Sequence, residues 1–387
     1  MFEPFPGNYV WNLAINLALA QGAAVGEIDE ACRPLAGAEP DAEKLFASLC
    51  AIADRVRNRA TVDATAGHRL SAAARYRRAS IYYLTAERMQ SRSFEPWRVA
   101  YRKGLDCFRR SVEFDGDICE FVDVPYRDGD IDTTLPGLLV RADADGPTPY
   151  MVQFNGLDST KEMVYGTGLA QQYRERGIST LIIDQPGTGE TLRLHGIPGV
   201  AEAERYGSAC VDYLAERSDC DAARIGVGGW SLGGYFAPRA AAFESRFTLC
   251  AAWGAIYDWG ELQRTRRERQ RTGTAEPSVP HFWEHVMWVF GKNSVDEFVD
   301  FAASLTMAEA SARIEVPFLV VHGANDRQVS SAMAQKQYDA AVNSPDRQLK
   351  IMTLDDGGVE HCAADNMSAT VNFIADWVAD RFDTGQS

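Results

Sequence analysis

A serine enclosed by glycines, Gly229-Trp-Ser231-Leu-Gly233, follows the apolar run Arg224-Ile-Gly-Val-Gly228 and opens onto a helix-patterned stretch. At a strand-to-helix turn, G-x-S-x-G strains the serine backbone and presents its hydroxyl, while the glycines remove side chains that would collide around it. Such a hydroxyl can attack a carbonyl. A phosphate loop is the other use of a glycine-rich turn, but it needs a lysine after the glycines, and none follows here. A serine is a weak nucleophile at neutral pH, so it requires a base and a third group that fixes the base's tautomer. The order Ser, acid, His is available downstream. Of six histidines, only His322 and His361 lie beyond residue 312. His361 ends the loop Asp355-Asp-Gly-Gly-Val-Glu-His361, whose glycine pair can carry an imidazole to a sheet edge. His322 ends an apolar run and reads as a packed histidine. Asp326, just past that run in Gly323-Ala-Asn-Asp326, is the expected acid, with a turn or helix-cap aspartate as the structural alternative. Asp355 and Asp356 are rivals that follow the wrong strand and sit close to His361 in sequence.

Acyl transfer also needs two backbone donors for the oxyanion. The N–H of Leu232, next after the serine, is one. The loop Asn155-Gly-Leu-Asp-Ser-Thr-Lys-Glu162 should supply the other, from Leu157 or from the neighbouring Gly156. Asp184-Gln-Pro-Gly-Thr-Gly-Glu190 reads as loop scaffolding near the pocket. Trp230, Trp253, Tyr257, Asp258, Glu261, Trp283 and Trp288 are candidate pocket residues, an aromatic load suited to flat or apolar ligands. Aromatics at helical spacing serve equally as core, and Asp258 or Glu261 could assist protonation of a leaving group.

The elements that must position these groups follow from hydrophobic periodicity. Three- and four-residue spacing predicts helices over 41–55, 70–89 and 98–110, with an earlier buried helix in 11–24 and a break at Pro96-Trp97. The pattern then changes to strands over 118–126, 135–141 and 150–154. A helix over 159–176 is next, with Ser159 as N-cap and Glu162 completing a capping box. Strands over 180–184, 224–228, 249–253, 317–322 and 348–354 alternate with helices over 200–217, 232–243 and 368–382, which predicts a mostly parallel sheet flanked by helices. About sixty residues separate two of these strands, a length typical of a lid. The expected organisation is a helical domain over 1–115 and a catalytic domain over 116–387, with 255–312 as a helical lid insertion.

Composition limits the rest. With 46% hydrophobic and 24% charged residues among 387, the chain can bury a large core. A net charge of −15 opposes binding to nucleic acid or anionic membranes. The eight cysteines show no metal-ligand spacing, so reduced thiols, a cytoplasmic location and no metal are expected. Residues 11–24 are too short to span a bilayer, and Glu3 stands where a signal peptide would be positive.

Taken with the helical N-terminal part, Phe154-Asn-Gly-Leu-Asp-Ser-Thr-Lys-Glu162, Asp184-Gln-Pro-Gly-Thr-Gly-Glu190, Gly229-Trp-Ser-Leu-Gly-Gly234 and Trp253-Gly254 resemble the 2,6-dihydroxypseudooxynicotine hydrolase group of the α/β-hydrolase superfamily. Fungal polyketide-shortening hydrolases are similar. The resemblance implies an α/β-hydrolase fold, carbon–carbon bond hydrolysis beside a ketone of an aromatic or heteroaromatic small molecule, no cofactor, and a homodimer. Its triad positions are Ser231, Asp326 and His361. A carboxylesterase and a non-catalytic binding protein on the same scaffold are the alternative readings.

Overall fold

Short polar side chains and one proline set the first helices in the computed structural model, which describes residues 1–88, 90–116, 119–273 and 280–384. These helices are α1 (Tyr9–Ala20), α2 (Val25–Cys32), α3 (Ala42–Thr65), α4 (Arg69–Glu87) and α5 (Pro96–Asp115). Asn8 and Asp41 cap α1 and α3 by accepting from Trp11 N and Lys44 N. Pro96, expected to break the pattern, instead begins α5, where its missing N–H costs nothing, and Gly116 ends that helix at φ 70°. Asn12 and Asn16 interrupt the apolar face of α1 for a reason. Their amides pair with the backbone N and O of Phe5 and Phe2, tying down the segment before the helix. Met89 and Ile118, ends of an expected helix and strand, lie outside the described residues.

Two compact units emerge: Met1–Cys119 with Glu276–His285, and Glu120–Ala275 with Val286–Ser387. The first has Tyr76, Tyr82, Tyr83, Trp97 and Tyr101 in its core. Part of the segment read as a lid, Glu276–His285, therefore groups with the helical unit, where Glu284 accepts from Ser91 Oγ and Arg92 N at 3.0 and 2.8 Å.

The chain continues through β1 (Cys119–Asp128), β2 (Ile131–Val140), β3 (Thr148–Phe154), α6 (Lys161–Gly166), α7 (Leu169–Glu175), β4 (Ser179–Ile183), α8 (Gly189–Arg193), α9 (Glu204–Ala215) and β5 (Cys220–Trp230). After these come α10 (Gly233–Phe243), β6 (Phe247–Trp253), α11 (Trp259–Arg271), α12 (Phe282–Val289), α13 (Val295–Ala302), β7 (Phe318–Gly323), α14 (Ser331–Ala340), β8 (Arg347–Met352) and α15 (Met367–Phe382). The strands form one sheet in the order β1-β2-β4-β3-β5-β6-β7-β8. From β4 to β8 every neighbour is parallel, and β2 is antiparallel to β4. Every residue of β3, β4 and β7 is buried, as helices on both sheet faces require. At the edge, β1 alternates, with Val122, Val124 and Tyr126 turned inward.

Three local expectations are corrected. The helix over 159–176 is two helices, parted at Thr167-Gly168, where Gly168 takes φ 81°. Its N-cap is Thr160, which accepts from Met163 N, because the Ser159 hydroxyl is committed elsewhere. The last two residues of the stretch read as loop scaffolding, Gly189 and Glu190, begin the short helix α8 (Gly189–Arg193). Among the described residues no helix is long and apolar enough to cross a membrane.

Candidate active site

Between the end of β5 and the start of α10 only Ser231 and Leu232 remain to make the turn. Ser231 sits at φ 55°, a left-handed conformation costly for a side-chain-bearing residue. The surroundings enforce it: Ser231 N donates to Trp253 O on β6, and Ser231 O accepts from Gly234 N, both at 2.8 Å. A Cβ at Gly229 would stand 2.4 Å from Gly233 O, and one at Gly233 would stand 2.9 Å from both Phe154 O and Asn155 O. Both glycines of the pattern are therefore steric necessities of this turn.

The parallel neighbours β6 and β7 set Gly323, Asp326 and their loop beside the same sheet edge. The loop after β8 crosses Gly323 so closely that a Cβ there would lie 2.3 Å from Val359 O. Asn325 N donates to Val359 O, and Asn325 Nδ2 to Glu360 Oε1, at 2.9 and 2.7 Å. Asp365, a residue that motif reading misses, accepts from the Val359 and Glu360 N–H groups and holds the loop from its other side. His361 is thereby brought to Asp326 and Ser231. Its Nδ1 lies 2.7 Å from Asp326 Oδ2 and its Nε2 2.9 Å from Ser231 Oγ. An ionised carboxylate only accepts, so Nδ1 carries the proton and Nε2 is left to accept from the serine hydroxyl. Asp326 Oδ1 takes the N–H groups of Gln328 and Val329, which fixes the carboxylate's rotation.

Electrostatics follow the geometry. Burial works against charge on His361, but the Asp326 carboxylate and its hydrogen bond hold the imidazole pKa well above the ordinary histidine value. Burial likewise opposes the Asp326 charge, and the two imidazoles with backbone donors still keep its pKa below the usual carboxylate range. His322, the rival histidine, is buried. Its Nε2 meets Val329 O at 2.8 Å and Asp326 Oδ2 at 3.3 Å, and burial lowers its pKa. It meets the same carboxylate oxygen as His361.

The loop after β3 presses on the serine, since a Cβ at Gly156 would be 3.0 Å from Ser231 Cβ and 3.5 Å from Ser231 Oγ. Of its two candidate donors, Gly156 N–H donates to Ser159 Oγ at 2.8 Å. Ser159 Oγ also accepts from Trp230 Nε1 at 3.1 Å and donates to Asn155 Oδ1 at 2.7 Å. Asp184 and Gln185 then hold Asn155. Asn155 Nδ2 donates to Asp184 Oδ1, while Gln185 Oε1 accepts from Asn155 N and Gln185 Nε2 donates to Asn155 O.

The other candidate residues are placed as follows. Trp230 and Trp253 are buried and packed on each other at 5.9 Å. Tyr257 is half-buried. Asp258 caps α11 by accepting from Glu261 N, and its other oxygen accepts from Thr306 Oγ1, so its carboxylate is already engaged. Exposed Glu261 pairs with Lys336 at 3.7 Å. Both acids are thus engaged in contacts within the fold. Trp283 belongs to the helical unit, and Trp288 lies under the Arg193 guanidinium within the sheet unit.

A serine held at the β5–α10 turn, with its partners on loops after later strands of a mostly parallel sheet, defines an α/β-hydrolase. Residues 169–385, more than half of the chain, match the prolyl oligopeptidase family, and the chain belongs to that α/β-hydrolase family. It is 32% identical over 264 residues to the α/β-hydrolase xenA of Xenoacremonium sinensis, covering 64% of this chain and 59% of that one. It is 28% identical over 249 residues to 2,6-dihydropseudooxynicotine hydrolase of Paenarthrobacter nicotinovorans, covering 64% and 61%. These matches thus span about three-fifths of each relative's length. The crystal structure of 2,6-dihydroxy-pseudo-oxynicotine hydrolase superposes with a TM-score of 0.76 over 96% of both chains at 22% identity, a likeness of fold. The chain is thus a member of the α/β-hydrolase family and is similar to proteins named as hydrolases.

Proposed function

We propose that this hydrolase uses Ser231, His361 and Asp326 to cleave the carbon–carbon bond beside a carbonyl of an aromatic or heteroaromatic ketone of polyketide-like character. One observation carries the reading: the unbroken hydrogen-bonded file from Ser231 Oγ through His361 to Asp326, at 2.9 and 2.7 Å. In it, Ser231 Oγ attacks the substrate carbonyl as its proton passes to His361 Nε2, and Asp326 stabilises the imidazolium. The N–H groups of Leu232 and Leu157 hold the oxyanion. When the tetrahedral intermediate collapses, the bond to carbon breaks, and the departing carbon, stabilised as an enol or electron-rich ring, takes the proton from His361. Water, deprotonated by His361, then releases the acyl group from Ser231. The substrate class is supported by the likeness to a hydrolase named for 2,6-dihydropseudooxynicotine, and the chemistry needs no cofactor. A small-molecule substrate and a homodimer belong to the same proposal.

The test pairs aryl β-diketones with p-nitrophenyl esters. Turnover of the diketones, falling about 10⁴-fold or more in Ser231→Ala, is the expected result. Turnover of esters alone would replace this reading with a carboxylesterase, and undiminished turnover in Ser231→Ala would end the serine mechanism.

A further inference from the structure

Behind the loop that carries Leu157 lies a buried ionic cluster that the triad mechanism does not use. Lys161 Nζ, with its side chain 1% exposed, contacts Glu162 Oε1, Asp184 Oδ2 and Glu190 Oε1 at 2.7, 3.1 and 2.5 Å. Charges so far from water are kept only where every partner is in place. Asp184 is the hub. Its Oδ1 accepts from Lys161 N at 2.7 Å and Asn155 Nδ2 at 3.1 Å, and its Oδ2 accepts from Glu190 N at 2.9 Å besides Lys161 Nζ. A Cβ on Gly189 would stand within 2.0 Å of this carboxylate's oxygens, so the turn after β4 is wrapped on it without slack. From the hub a single line of hydrogen bonds runs to the nucleophile's neighbourhood: Asp184 to Asn155, Asn155 to Ser159, and Ser159 to both Gly156 N and the indole of Trp230. The Ser159 hydroxyl thus uses its one proton and both lone pairs, and leaves the loop no alternative partner.

We propose that Asp184, acting through Asn155 and Ser159, is a positioning residue that aims the Leu157 N–H at the oxyanion. This inference rests on the serine-hydrolase reading above. Gly156 is pinned by Ser159 at 2.8 Å, and Leu157 follows it in the chain, so releasing Ser159 frees the peptide that bears the donor. Oxyanion donors act only when preorganised, so the loss falls on the chemical step and not on substrate capture. The buried cluster supplies stiffness that an exposed turn of the same sequence would lack. Burial, with Glu162 and Glu190, pushes the Asp184 pKa up against the opposing pull of Lys161, as expected of a carboxylate held by packing at this spot.

The experiment measures inactivation of the full chain by a fluorophosphonate, which phosphonylates an activated serine through an oxyanion-bearing transition state, and separates kinact from KI. The variants are Asp184→Asn and the milder Ser159→Ala, which removes one buried oxygen and carries the test if Asp184→Asn does not fold. In folded protein the expected result is a fall in kinact of about tenfold or more, part of the full cost of losing a donor, with KI within about twofold of wild type. An equal fall in two variants that break the same line at different points is also expected. Unchanged kinact in folded Ser159→Ala, or a loss confined to KI, would overturn the positioning role while leaving Ser231 as nucleophile. Failure of the wild type to be labelled would overturn the serine reading, and this inference with it.

Discussion

Burial and Asp326 pull the His361 imidazole in opposite directions, and the carboxylate wins, leaving the pKa well above the ordinary value. Only the neutral imidazole can take the Ser231 proton, so kcat/KM should rise with pH along a limb set by His361. In Asp326→Asn the negative charge that favours the imidazolium is gone while burial remains, so that limb should move to lower pH. The plateau should fall by about 10³–10⁴, because an amide no longer fixes the tautomer. A pH–rate profile whose limb stays in place or moves up would contradict the assigned contact. The two downstream histidines give a sharper contrast. His361→Ala should remove nearly all activity, whereas His322→Ala should cost less than about 100-fold, since His322 contacts Asp326 and Val329 O and not the Ser231 hydroxyl that His361 holds. That His361 and not His322 meets Ser231 could be read from its glycine-bearing loop. Asp365, which anchors that loop, could not, because an aspartate accepting two backbone N–H groups looks in sequence like any turn residue.

The elements show why some of the architecture is legible in sequence and some is not. Strands buried on both faces become unbroken apolar runs, so β3, β4, β6 and β7 stand where those runs are. The break at Gly168 is different. A glycine inside helical periodicity is tolerated as readily as it is used for a left-handed turn, and only packing decides. Ser159 and Thr160 are equally good caps, and the choice between them is made by Trp230 and Gly156 from outside the helix. Lys161 and Glu162 resemble a solvated pair, and nothing local reveals that Asp184 and Glu190 meet them in the interior. Gly156→Ala tests the contact between the β3 loop and the elbow. Its new methyl would sit 3.0 Å from Ser231 Cβ, so kcat should fall at least tenfold while the melting temperature drops only a few degrees. At the end of α10, Glu244 is held chiefly by hydrogen bonds from Arg246, against the cost of burial, and its pKa is lowered to about 2. Its folded value lies below the unfolded one, near 4.3. The stability it contributes is therefore present above about pH 4.3 and is lost as pH falls toward 2. A melting curve of Glu244→Gln should be flatter over that window than the wild type.

For the whole molecule, the net charge of −15 opposes a polyanionic partner. The homodimer of the proposal is checked by sedimentation, where twice the chain mass is the expected outcome and a monomer at all concentrations the contrary one. The strand alternation made the α/β class readable from the chain. That Glu276–His285 groups with the helical unit was not readable, because an amphipathic segment does not record which core it enters. Above these details stands the claim that Ser231 is a nucleophile activated by His361. The most direct measurement is to treat the wild type, Ser231→Ala and His361→Ala with a fluorophosphonate and map the adduct by peptide mass spectrometry. One adduct per chain on the peptide containing Ser231, absent from Ser231→Ala and strongly slowed in His361→Ala, is the predicted result. An adduct on another residue, or equal labelling of the His361 variant, would contradict it.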